Sequence, residues 1–315
     1  MKSKLYRVAV SCLVSVVIIS LIVACAPPAE QMTSFTIEVT DQLGRVVKLE
    51  KVPERIISLS PSNTEVLFAL RLADKVVGVT KYCDYPSEAK NKPNVGGFST
   101  PNIEEIIALS PDLVLAALRH EDEIIPQLEE MGLTVFALKL KTLDEALEGI
   151  TLVGEITGKE EEASKLLAEM QNRIKAVTDK TNSLPEDKRP SVFYLTWHDP
   201  LKTSGLETLN NELIEKAGGR NIFSDVTGIQ SVDLEVLVAR NPQVMIAGIG
   251  MGSGEDKPIQ YLMTESRLES TEAGKNDRIY GVDMDITGRG GPRIVDGLEQ
   301  FAKCIHPEIF GAPEN

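Results

Sequence analysis

Most residue patterns that mark an enzyme fail on spacing in this chain. Gly154-Glu-Ile-Thr-Gly-Lys-Glu comes near a phosphate-binding loop, but its glycines stand one residue too close and no Ser or Thr follows Lys159. Gly248-Ile-Gly-Met-Gly-Ser-Gly follows a strand pattern without the dinucleotide spacing and without a helix directly after it, so it reads as a loop. No Gly-x-Ser-x-Gly elbow is present. Carboxylates are plentiful, yet no pair is singled out for acid–base work. The three histidines, His120, His198 and His306, are scattered, which disfavours a multi-histidine metal site.

Other residues suit recognition instead. Aromatics are only 5% of the chain, so their positions carry information. Tyr82 and Tyr85 lie in Lys81-Tyr-Cys-Asp-Tyr-Pro, Phe98 follows Gly96-Gly97, and Trp197, the only Trp, precedes His198-Asp199-Pro200. All sit in loops just past strand patterns, where open α/β sheets bind ligands, and aromatic walls suit a large flat or amphipathic one. Asp283-Met-Asp-Ile-Thr-Gly-Arg-Gly-Gly-Pro-Arg leads into a last helix from Ile294. Its glycines admit close backbone approach, Arg289 suits an anionic or amide-rich edge, and Arg293 reads as a surface pair. Glu104 and Glu235 occupy matching places in the first turns of two helices. Either role fits: favouring the helix N-terminus by about 0.3–1 kcal/mol, or presenting a carboxylate to paired arginines of a partner.

The elements that must position these residues alternate. Residues 35–49 alternate apolar and polar about Gln42-Leu43-Gly44, a hairpin pattern. Strand patterns at Arg55–Leu59, Val76–Val79, Leu113–Ala116 and Thr134–Leu138 alternate with helical ones, predicting an N-terminal α/β lobe over 35–141 with a mainly parallel sheet. Residues 142–189 carry helical patterning only, with a break at Gly158 and one long helix over Lys159–Thr181. The alternation resumes at Ser191-Val-Phe-Tyr-Leu and predicts a C-terminal α/β lobe over 190–315. An internal repeat supports two lobes. Ile103–Ala116 aligns without gaps to Leu234–Ala247, each a helix, an x-Pro turn and a strand, with Thr100-Pro101 and Ser231-Val232 as expected helix starts.

The 315 residues carry 33 basic and 47 acidic side chains, a net charge of −14 that argues against a nucleic-acid binder. Lys2, Lys4 and Arg7 precede an uncharged run of 16 residues, Val8–Val23, too short for a typical membrane span of about 20 residues. It ends in Val23-Ala24-Cys25. The segment 1–24 reads as an export signal and resembles that of a bacterial lipoprotein, which puts lipid on Cys25 and leaves 25–34 as a tether. Cleavage there leaves 291 residues at −17, outside the cytoplasmic membrane. Cys83 and Cys304 then remain in an oxidising compartment, which permits a disulfide between them; two buried thiols are the alternative.

Several segments together resemble the substrate-binding proteins of iron-chelate and cobalamin ABC importers. They are Arg55-Ile-Ile-Ser-Leu-Ser-Pro-Ser-Asn-Thr-Glu, Tyr82-Cys-Asp-Tyr-Pro, Val95-Gly-Gly-Phe, the two repeat segments, Gly218-Gly-Arg-Asn-Ile-Phe and Gly291-Pro-Arg-Ile. The resemblance spans 35–310 as one binding domain and is strongest to the cobalamin branch, through Ser-Pro-Ser-Asn-Thr-Glu and Tyr-x-Asp-Tyr-Pro. It implies two Rossmann-like lobes joined by a long helical linker, the class III periplasmic binding protein fold. It further implies small closure about a ligand between the lobes, no catalysis, no cofactor, and a monomer that delivers cargo to an ABC permease and its ATPase. Glu104 and Glu235 match the carboxylates that dock on the permease. Tyr82, Phe98, Asp285 and Arg289 match the cleft lining, with Tyr85, Trp197 and His198 at its edges. The cargo implied is cobalamin or a related corrinoid, with a ferric siderophore or haem as the alternative and His198 then a candidate iron ligand. The chain departs from the best-known cobalamin-binding relative at Ala117 and Ile229, where that relative has cleft aromatics, and at Ala217, where it has a disulfide cysteine.

Overall fold

A computed structural model describes residues 36–250 and 256–313. The export signal, Cys25, the tether and the latter part of the 248–254 glycine loop lie outside the described residues.

The chain enters through the expected hairpin, β1 (Ile37–Thr40) against β2 (Val46–Leu49), antiparallel. Asp41 makes the turn. Its Oδ1 accepts the amides of Leu43 and Arg45 at 3.0 and 2.9 Å, and its Oδ2 accepts that of Ala137 at 3.1 Å. One buried carboxylate thus closes the turn and ties the hairpin to the first sheet.

That sheet is built from β3 (Ile56–Ser58), β4 (Val76–Val79), β5 (Leu113–Ala117) and β6 (Val135–Leu138), in the order β4-β3-β5-β6 and parallel throughout. Its strands are almost wholly buried, as parallel strands covered on both faces must be, which is why they read as unbroken apolar runs. The crossovers carry α1 (Pro61–Ala69), α2 (Ile103–Ala108) and α3 (Ile124–Glu130). Ser60 caps α1 by accepting the amide of Asn63, with Pro61 as its first residue.

Two longer helices follow. α4 (Leu143–Thr157) starts on the Thr142 side chain and stops at Gly158, whose φ of 66° is the left-handed conformation that ends helices. α5 (Glu160–Thr181) has 22 residues and is therefore about 33 Å long. Three acids in its first turn and Lys180 in its last suit the helix dipole. It buries Ala163, Met170 and Val177, every seventh residue.

The second sheet contains β7 (Ser191–His198), β8 (Leu201–Ser204), β9 (Arg220–Asn221), β10 (Ile229–Ser231), β11 (Val244–Ile249) and β12 (Ile279–Asp283). Its order is β10-β8-β7-β11-β12, with β9 also on β7. β7, β9, β11 and β12 run parallel; β8 is antiparallel to β7, and β10 is antiparallel to β8. The helices around it are α6 (Leu209–Lys216), α7 (Leu234–Arg240), α8 (Lys257–Thr264), α9 (Glu272–Lys275), α10 (Met284–Thr287), α11 (Ile294–Ile305) and α12 (Pro307–Phe310).

Two local expectations need correction. Trp197 and His198 are not in a loop. They end β7, because Lys202 and Leu201 of β8 pair with them across a tight hairpin at Asp199-Pro200. The repeat helices also begin later than Thr100 and Ser231 suggest. Asn102, whose Oδ1 accepts the amides of Glu104 and Glu105, caps α2, and Asp233 holds the same place before α7.

Each lobe has an apolar cluster of its own, about Ile57, Leu59 and Val114 in the first and Phe193, Leu195 and Met245 in the second, but the lobes also share an interior. One apolar cluster runs from Ile56, Leu113 and Phe136 through Ile150, Met170 and Val177 to Val192, Tyr194 and Ile246. The helices α4 and α5 are therefore an apolar layer shared by both sheets rather than an exposed connector.

Candidate functional site

The strand ends of the first sheet open onto a cleft of about 1350 Å³. One wall comes from the turns after β3, β4, β5 and β6; the other comes from Gly250 and the 284–290 segment of the second lobe. A parallel sheet aims all its carboxyl ends at one edge, so four loops converge there without further design.

Of the residues expected to bind ligand, Tyr82, Phe98, Asp285 and Arg289 line this cleft. Tyr82 is half exposed. The Phe98 loop turns on Gly96, at φ 100°, where a Cβ would stand 2.7 Å from the Asn102 nitrogen. It is held by His120, which is fully buried. His120 Nδ1 accepts the Ala117 amide at 3.0 Å, so Nε2 carries the proton and donates to the Phe98 carbonyl at 2.6 Å. Burial lowers the pKa of this imidazole and keeps it neutral, as one donor and one acceptor require. His120 braces two cleft loops.

Arg289 is differently placed from what the sequence suggests. Instead of facing the ligand as a free cation, it lies 2.8 Å from Asp84, 2.6 Å from Asp285 and 3.5 Å from Glu65. Arg293 is no surface pair either. Its Nε and Nη2 clasp Glu65 at 3.0 and 2.7 Å, and its guanidinium stacks 3.8 Å from the Tyr85 ring centre. Glu65 belongs to α1 of the first lobe and its side chain is only 1% exposed, so both arginines cross from the second lobe to reach it. Gly291 leaves room for the Glu65 carboxylate, since a Cβ there would lie 3.1 Å from Oε2.

Burial pushes the Glu65 carboxyl up, against the pull of Arg293 and Arg289. Burial works on Asp84 too, but the Arg289 guanidinium outweighs it and holds that carboxyl below its usual range. Asp285 is raised by burial despite Arg289, with Asp84 and Asp283 adding repulsion. Three carboxylates against two guanidiniums leave the network one negative charge in excess.

Tyr85, Trp197 and His198 are not among the residues lining the cleft. Tyr85 packs under Arg293. The Trp197 and His198 rings lie 5.1 Å apart, with Tyr261 6.3 Å from His198, and the indole donates to the Asp199 carbonyl at 2.8 Å. Ala117 lines the cleft, whereas Ile229 is exposed on β10. Glu104 and Glu235 are both exposed. Among the described residues Glu104 forms no ion pair, while Glu235 meets Arg267 at 3.1 Å, itself held by Glu265 at 2.8 Å. Cys83 and Cys304 are separate buried thiols, so the disulfide is corrected: one lies in a loop of the first lobe, the other in α11. Among the described residues no group of three or more His, Cys, Asp or Glu is placed to hold a metal ion.

Glu65, Asp84 and Arg293 escaped the sequence reading. The available signal was Glu65 itself, a charge directly before Val66-Leu67 in a helix that had to pack on the sheet. A buried carboxylate demands a cationic partner.

Two α/β lobes sharing one helical layer, facing each other across a roomy cleft at strand ends, define a two-lobed ligand-binding protein. The chain belongs to the periplasmic binding protein family, whose model matches residues 56–286. It is 33% identical over 303 residues, 92% of this chain and 94% of the other, to YvrC of Bacillus subtilis, described as an uncharacterised ABC transporter substrate-binding lipoprotein. Its fold is similar to the periplasmic vitamin B12 binding protein BtuF of Vibrio cholerae, with a TM-score of 0.69, 27% identity, and 81% and 97% of the two chains covered. It is also similar to the periplasmic haem-binding protein RhuT of Roseiflexus, with a TM-score of 0.71, 26% identity, and 80% and 98% covered.

Proposed function

We propose that this chain is the extracytoplasmic, lipid-anchored receptor of an ABC importer, and that it captures a corrinoid between its lobes and hands it to the permease. The observation that carries this reading is the cleft itself. At about 1350 Å³ it exceeds the usual 300–1000 Å³ of small-molecule pockets, and Tyr82 and Phe98 stand on its wall. A macrocycle with an apolar face and an amide-rich rim matches that size and lining. The relatives support the class: one carries the name of an ABC transporter substrate-binding lipoprotein and another of a vitamin B12 binding protein. Ser60, Ser62, Ser99 and Thr100 line the cleft, but the buried imidazole near them, His120, has both nitrogens committed to backbone. That supports binding without turnover. Glu104 and Glu235, one exposed carboxylate per lobe on equivalent helices, are the proposed contacts with permease arginines.

A haem or ferric siderophore is the second reading, favoured by the similarity to a haem-binding protein. Calorimetric titration of detergent-solubilised full-length protein with cyanocobalamin, haemin and a ferric hydroxamate tests both. Tight one-to-one binding of cyanocobalamin alone supports the corrinoid receptor. Binding of haemin or the iron chelate alone moves the cargo to iron. Binding of none refutes the receptor.

A further inference from the structure

We infer that the first-lobe wall of the cleft is a subsite for an oxyanion carried by the ligand, a phosphodiester or a carboxylate, and that the ligand seats with this group toward that lobe. The inference rests on the receptor reading and names the chemistry of its cargo.

Three consecutive strands of the first sheet each hand a cation to the cleft. Lys81 lies just beyond β4, Arg119 just beyond β5 and Lys141 just beyond β6. All three are exposed, and among the described residues none has a carboxylate within ion-pair distance. Lys81 instead rests its ammonium 4.9 Å from the Tyr82 ring centre. The turn after β3 adds the capped start of α1, Ser60 to Asn63, to the same wall, with the positive end of that helix. Asp122 is the wall's one carboxylate outside the Arg289 network, and with that network's one excess negative charge counted the cleft still keeps one positive charge, in a chain of net charge −14.

Arg45, Lys75, Arg173 and Arg240, by contrast, are paired with carboxylates. Like charges gathered at a concave wall repel one another until an anion arrives. Arg289, the cation the sequence offers for this task, is occupied by Asp84 and Asp285. The uncommitted positive charge is on the opposite lobe, and it sets which end of a ligand faces which wall.

The test titrates the full-length protein and its Lys81→Gln/Arg119→Gln/Lys141→Gln variant in detergent with three ligands. Cyanocobalamin carries a phosphodiester, haemin carries two propionates, and dicyanocobinamide keeps the corrin but lacks the phosphodiester. Three exposed charge contacts, each worth a few-fold at most, predict a loss of about tenfold for whichever oxyanion-bearing ligand the native protein binds. Raising salt should weaken the native protein and leave the variant nearly unchanged. Dicyanocobinamide should bind both proteins alike. Equal affinity of native and variant for the oxyanion-bearing ligand overturns the inference while the receptor reading stands. So does an equal loss for dicyanocobinamide, since the three side chains would then merely shape the cleft. If the native protein binds none of the three, the inference falls, and the receptor reading falls with it when the ferric hydroxamate does not bind either.

Discussion

Replacing Glu65 by alanine removes the first-lobe carboxylate that both second-lobe arginines reach. Arg293 would lose its contacts at 3.0 and 2.7 Å and keep only the Asp285 carbonyl at 3.3 Å and the Tyr85 ring. Arg289 would lose a longer contact of 3.5 Å and keep Asp84 and Asp285. Removing one partner of a buried ion pair costs about 3–5 kcal/mol, because the other charge stays desolvated. The Arg293 side chain retains 17% exposure, so water relieves part of that and the low end, about 3 kcal/mol, applies. For a body of this size each kcal/mol lowers Tm by about 2–4 °C, giving a fall of about 6–12 °C at pH 7. Scanning calorimetry reads this directly, and a urea midpoint that falls at unchanged slope separates it from loss of compactness. Arg293→Ala should cost a similar amount, and the double variant little more than either, because the two substitutions delete one interaction. A Tm within 2 °C of the native value for Glu65→Ala would refute the reasoning, since the network would then behave like a screened surface pair of about 0–1 kcal/mol.

The remaining expectations concern the lobe contact, the thiols and the two exposed carboxylates. Gly290→Ala would place a Cβ 2.5 Å from the Leu140 carbonyl oxygen, so the lobes must part there; a loss of about 1–3 kcal/mol in urea unfolding is expected, and an unchanged midpoint would contradict that contact. Cys83 and Cys304 should resist a thiol reagent in the folded protein and react fully in denaturant, and a prompt stoichiometric reaction without denaturant would show the burial to be wrong. Burial pushes the Cys304 thiol up to about 12 from 9.0. Its contribution to stability is therefore complete below pH 9.0 and fades as pH rises toward about 12, a decline that Cys304→Ala should lessen in thermal scans. Glu104→Lys with Glu235→Lys should abolish uptake in cells while leaving ligand affinity in solution unchanged; lost affinity would place these residues at the cleft.

How far the sequence reaches depends on whether a signal is local. β5 and β11 sit in matching helix–turn–strand units because burial on both faces writes an apolar run whatever the distant partners are. Tyr82 and Phe98 were placed at the cleft by the rule that loops follow strand ends, and that rule needs no partner either. Trp197 escaped it because β8 adds an antiparallel strand beside β7, and Asp199-Pro200 resembles the end of an element as much as a hairpin turn. The Glu65–Arg293 pair joins positions 228 residues apart, and neither residue's neighbours name the other. What was legible was the demand: a carboxylate in an apolar helix must find a cation.

That pair also bears on how the lobes can move. A single apolar cluster threads both sheets through α4 and α5, so swinging the lobes apart would expose core as well as cleft. At the cleft floor Gly290 packs so tightly on the Leu140 backbone that no Cβ fits between them. Arg289, Arg293 and Gly291 of the second lobe all lie against the Glu65 carboxylate, which is 1% exposed with them in place. An opening wide enough to separate them would break these contacts and expose charges on both lobes to water, in addition to any core that it uncovers. Displacements that keep Gly290 on Leu140 and the guanidiniums on Glu65 carry no such cost. The half-exposed Tyr82 side chain has room to adjust to a ligand, whereas the Phe98 loop is braced by His120, and the network together with the shared helical layer agrees with the small closure that the family resemblance implies.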